Sequence, residues 1–147
     1  MSRLAISLSP LFWSRIHGGT THFPIALIFS AAVFESLGFF LRESPKGRDL
    51  SATGYRLVIL AAVSSFAAVF TGLALSEWKI GGTGFLLRHH LFVWPAFALI
   101  VALATWRSLV GNSPTRNAFA MYLSGIVIAC ALIGAAGFFG GEILLSH

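Results

Sequence analysis

Apolar residues fill this chain in long blocks, without strand-like alternation. Four blocks stand out: Phe23 to Leu41, Leu57 to Leu75, Leu91 to Trp106 and Ala118 to Phe139. About 20 largely apolar residues suffice to cross the hydrocarbon core of a bilayer. The pattern therefore predicts four spanning helices at 22–41, 56–76, 88–109 and 117–140. The third block is the shortest and recruits Phe85 to His90 or Arg107 to Val110 at its ends. Only the first block holds an ionisable group, Glu35, which is expected to pair with Arg42 or another basic loop residue, or to stay protonated. The connections are too short for a second domain. The predicted fold class is an all-α integral membrane protein: one domain over residues 1–147, a four-transmembrane-helix bundle with both termini on the same side. No internal repeat is evident. Residues 1–20 read as an interfacial segment anchored by Phe12 and Trp13. Arg15 and the lack of a small-x-small cleavage site argue against a signal peptide.

Composition agrees with a lipid environment. Charged residues make up 10% of the chain and hydrophobic residues 56%, too little polar material to coat a soluble domain. Basic residues set the expected orientation. Arg42, Lys46, Arg48, Arg56, Arg107 and Arg116 fall on one side, and Arg3, Arg15, Lys79 and Arg88 on the other. The richer side is expected to be cytoplasmic, which puts the termini on the periplasmic side of a bacterial inner membrane. The net charge of +5 suits contact with anionic lipid, and no nucleic-acid motif is present. Cys130 lies in the middle of the fourth span, where it reads as a small core residue.

An even number of crossings places His17, His22, His89, His90 and His147 on one face. His22 falls next to Thr20, Thr21 and Pro24, which read as the cap and first turn of helix one. It begins a stripe with Ala26, Phe29 and Val33, taken to face the bundle. His89 and His90 open helix three from the same side, and one of them is expected to point inward. His17 and His147 are expected in solvated segments. Gly134, Gly137 and Gly141, with Gly140 beside them, give helix four a bare backbone groove at this level. Two imidazoles beside a smooth wall suit a flat porphyrin with axial histidines. Arg88 and Arg15 could neutralise propionates, and Glu142 could fix the tautomer of a ligand imidazole.

Three functions follow. The first is a b-type haem electron-transfer subunit of a respiratory or quinone-linked complex, with His22 and His89 or His90 as ligands. The second is a cofactor-free membrane anchor or assembly subunit. The third is a zinc or copper site on the same face, with His22 and His90 as its core. A quinone role is conceivable at Glu35. No hydrolase triad is present, and an enzymatic activity of the chain alone is not expected. The outer loop Ser76 to Gly84 lacks the lysine and strand context of a phosphate-binding loop, and its glycines suit folding over the bundle mouth.

The segment His17 to Leu27, with its His-x4-His-Phe-Pro-Ile-Ala-Leu pattern, and the ending Gly140-Gly141-Glu142-Ile143-Leu144 resemble the signatures of a family of small four-helix bacterial membrane proteins of unknown function. The resemblance covers nearly the whole chain and carries over to His22, His89 or His90, Gly141 and Glu142. Some members are associated with Rieske iron–sulfur or cytochrome c modules, which implies a respiratory setting with redox partners. The usual aromatic-basic-histidine ending is replaced here by Leu145-Ser146-His147.

Overall fold

The computed structural model describes residues 10–111 and 114–145. Four helices account for nearly all of them: α1 (Pro10–Phe40), α2 (Pro45–Leu75), α3 (Gly84–Val110) and α4 (Arg116–Leu145). All four are long and apolar enough to cross a membrane. A 31-residue helix such as α1 rises about 46 Å, against a hydrocarbon core of about 30 Å, so its ends project beyond the apolar layer.

The helices pack as two antiparallel hairpins. Contact is most extensive between α1 and α2 and between α3 and α4, while thinner α1–α4 and α2–α3 seams close the ring. The backbones of the diagonal pairs stay apart, and only side chains reach across, as between Glu35 and Arg107. Large apolar residues such as Phe29, Val33, Phe66, Phe70 and Val127 stand on the outside, and the core is built mainly of small or branched residues such as Ile28, Ala31, Val58, Ala61, Ile100, Ile126 and Ala129. This inverts the soluble pattern. Lipid solvates large side chains as well as a protein core does, so close backbone approach through small residues holds membrane helices together.

Helix boundaries depart from expectation at α1. The helix runs without a break from Pro10, so Pro24 lies in its interior rather than its first turn. Thr20 and Thr21 do not cap; their hydroxyls donate to the carbonyls of His17 and Gly18 within the helix. Pro24 faces inward on the buried stripe with Ile28, Ala31, Glu35 and Gly38. Of the expected interfacial segment, residues 10–20 are continuous with α1, and the first nine fall outside the described residues, as do Ser146 and His147. Helix α2 has the clearest start: the Ser44 hydroxyl accepts from the Gly47 N–H, and Pro45 occupies the first turn.

The α2–α3 loop folds back on α3. Glu77 and Trp78 both have positive φ, and the Trp78 N–H donates to the carbonyl of Leu73, closing off α2. His90 Nδ1 then holds the carbonyl of Gly81, and Trp94 Nε1 donates to that of Ile80 at 3.1 Å.

Candidate functional site

At the loop-strapped end, two imidazoles occupy matching seats. His17 Nδ1 lies 3.1 Å from the carbonyl oxygen of Ala68, and His89 Nδ1 lies 2.8 Å from that of Ala136. A carbonyl only accepts, so in each neutral ring the proton is assigned to Nδ1 and Nε2 carries a lone pair. Each ring also rests on a glycine one turn beyond that alanine. A Cβ on Gly72 would stand 2.9 Å from His17 Cε1, and one on Gly140 would stand 3.3 Å from His89 Nδ1. Any other residue would crowd the ring.

The likeness extends to one spacing along the hairpins. Glu35 follows His17 by the same eighteen residues that separate Arg107 from His89. The two seats differ in one wall. Thr71 puts its hydroxyl 3.1 Å from His17 Nδ1 and 3.0 Å from that of Thr20. In α4 the equivalent place, one residue before the glycine, belongs to Phe139, which stacks on Phe92. His17 and His89 lie on diagonal helices. His90, adjacent to His89 and almost fully buried, is committed to the loop.

Other sequence-predicted positions are arranged differently. His22 is exposed on the stripe of Ala26, Phe29 and Val33; that stripe faces outward, with Val33 58% exposed, because it is the large apolar face that lipid covers. Gly134 and Gly137 are exposed too, continuing the outer stripe of Ser124, Val127, Ile128 and Ala131, and a Cβ on either would touch nothing. They are not the wall beside His89; Gly140 is. Gly141 likewise faces open space, half-buried, and Glu142 is half-buried beside it. Arg88 lies over the rings of Phe85 and Phe139, 5.8 Å from each centroid. Among the described residues, no three of His, Cys, Asp and Glu come together to hold a metal ion, which leaves the zinc or copper site on His22 and His90 without a ligand set.

The opposite end holds a buried charge cluster drawn from all four helices. Glu35 of α1 and Arg107 of α3 are 0% and 2% exposed. Ser51 of α2 donates to Glu35 Oε2 at 2.8 Å, and Tyr122 of α4 donates to Oε1 at 3.2 Å. Arg107 Nε stands 3.9 Å from Oε1, Nη2 donates to Ser51 Oγ at 3.1 Å, and Nη1 donates to the carbonyl of Gly111. Three aromatic rings, Tyr55, Phe119 and Tyr122, lie 5.5 to 5.9 Å from the guanidinium carbon. Gly38 and Gly54 let α2 approach: a Cβ on Gly54 would fall 2.6 Å from Glu35 Cγ. The partner of Glu35 is thus Arg107. Arg42 instead reaches the exposed Glu43, at 3.5 Å. Charge neutralisation, hydroxyl donors and close packing together let both ions sit in a low-dielectric core.

Length, hydropathy and packing define a multi-pass membrane protein built as one four-helix bundle. The chain belongs to the family described as predicted membrane protein DUF2231, which matches residues 14–147. No curated protein and no solved structure matches it.

Proposed function

We propose that the chain is an electron-transfer subunit of a respiratory or quinone-linked membrane complex, with His17 and His89 as the axial pair of a b-type haem. The equivalence of the two imidazole seats carries this reading. Each ring has its tautomer set by a main-chain carbonyl, its Nε2 lone pair unspent, and a glycine beneath it. Outer-shell carbonyls of this kind orient ligand histidines and raise their basicity. Two ligands are all that a bis-imidazole haem asks of the protein, so the want of a third nearby ligand counts against zinc and not against haem.

Bound haem, held by His17 and His89, would supply a one-electron couple. The chain's own residues do the rest. Ala68 and Ala136 hold the imidazoles, Gly72 and Gly140 make room for them, and Arg15 and Arg88, both exposed at this end, offer positive charge to carboxylates at the water boundary. The Thr71 hydroxyl 3.1 Å from His17 Nδ1 would make the two ligands electronically unequal.

The histidine end is assigned to the periplasmic side of a bacterial inner membrane. With Arg107 matched by Glu35, five further cations stand on the far side, Arg42, Lys46, Arg48, Arg56 and Arg116, against Arg3, Arg15, Lys79 and Arg88 on the histidine side. A periplasmic cytochrome c, a Rieske protein or a quinone-linked dehydrogenase would then be the redox partner.

The test is optical. Protein purified in detergent from haem-replete cells should show a reduced b-type spectrum and a positive haemochromogen assay. His17→Ala and His89→Ala should each abolish it, and His22→Ala should leave it unchanged. A colourless wild-type preparation, or full colour in both the His17 and His89 variants, overturns the assignment and leaves an anchor or assembly role.

A further inference from the structure

The thin seam between α1 and α4 leaves a groove on the outside of the bundle. Its two sections, about 450 and 440 Å³, meet at Val127. One is lined by Phe39, Ala120 and Ser124 and the other by Phe29, Ala32 and Cys130, so the walls are apolar and the floor small. The hydroxyls of Ser36 and Ser124 are spent on their own helix carbonyls. Nothing in the groove asks for a polar occupant.

Its length and its mouth specify one. From Phe39 to Phe29 along α1 the rise is about 15 Å, half of the hydrocarbon thickness, so the groove spans a single leaflet from headgroup level to midplane. Cations stand at the headgroup end. Arg116 lies over the Phe39 ring at 5.9 Å. Arg42, three residues beyond Phe39, has a buried Nη1 with no hydrogen-bond partner. Its ion pair uses Nε and a glutamate whose side chain is 95% exposed, a contact weakened by solvent.

We propose that this groove is a binding site for one anionic phospholipid of the leaflet on the Glu35 side, with an acyl chain along Phe39, Ser124, Val127 and Cys130 and the headgroup phosphate on Arg116 and Arg42. Guanidinium groups at the headgroup end are donors of the kind that phosphate takes. The site is independent of the histidine end and of any cofactor there.

Native mass spectrometry of the detergent-solubilised protein, titrated with phosphatidylglycerol or phosphatidylcholine of the same chain length, tests it. The wild type should retain one phosphatidylglycerol in preference to phosphatidylcholine. Removing each arginine, in Arg116→Ala and Arg42→Ala, should weaken that retention about fivefold, and Arg116→Lys should restore part of it. Ser124→Trp, placed on an exposed position so that the bundle core is untouched, should block the chain and lower retention with both arginines present. Equal retention of the two lipids by the wild type overturns the proposal. So does undiminished retention in the double arginine variant or in Ser124→Trp, or competition by inorganic phosphate alone.

Discussion

The two ends of the bundle spend their polar groups in opposite ways. Around Glu35 and Arg107, four helices each contribute a side chain and the charges are matched inside the cluster. Around His17 and His89, side chains bond to main-chain carbonyls, and the far nitrogen of each ring is left unspent. Apart from the Arg107 Nε N–H, which has no hydrogen-bond partner among the described residues, the first cluster closes on itself, whereas the second keeps lone pairs open. About 27 Å of helix separates the two, the rise from His17 to Glu35.

The sharpest way to break that division is to remove one charge from the closed end. Arg107→Leu leaves Glu35 buried without its cation and should cost about 3–5 kcal/mol in a detergent unfolding titration. Pairing it with Glu35→Leu should recover most of the loss, because apolar residues of similar volume often replace a buried ion pair at little cost. A double variant as unstable as the single one would mean that the charge pair is not what the cluster exists to satisfy.

A smaller effect contrasts glycines at the two ends. Gly54→Ala forces a methyl to 2.6 Å from Glu35 Cγ and should cost about 1–3 kcal/mol by overpacking. Gly140→Ala meets His89 Nδ1 at 3.3 Å, so it should move the ring more than the fold. Comparable stability losses in the same titration would erase the distinction between the ends. The smallest effect belongs to His90. His90→Ala removes the hold on the Gly81 carbonyl and should cost about 1 kcal/mol, seen as faster trypsin cleavage at Lys79 while the four helices stay protected.

Which of these features could be read from sequence depends on whether they obey the same rule in water and in lipid. The four spans do, since run length against bilayer thickness fixes them without tertiary knowledge. Helix faces do not. The stripe of His22, Ala26, Phe29 and Val33 looks like a packing face because it is large and apolar, and in lipid that is the outer face. The packed stripe runs from Pro24 through Ile28, Ala31 and Glu35 to Gly38. Carried back seven residues from Pro24, the same spacing arrives at His17, so the three-and-four interval itself was the available signal. Thr20 and Thr21 read as the cap of the first helix, yet their hydroxyls bond within the helix and α1 passes straight through. Arg107 reads as a loop cation because the third apolar block ends at Trp106, one residue short of it. Its role becomes visible only when Glu35 is set opposite. The match of His17 with His89 was hidden for a related reason: the alanine and glycine of each seat stand on the partner helix, Ala68 and Gly72 on α2 and Ala136 and Gly140 on α4.

The thin seams between hairpins bear on how the bundle is assembled. Each hairpin enters the bilayer with half of every constellation: one acid or one base, one imidazole or the other. Alone, the first half would hold an unmatched carboxylate in hydrocarbon and the second an unmatched guanidinium. Opposite charge at equivalent places makes like halves repel and unlike halves attract, so the charge pair favours the correct mate wherever the halves dock.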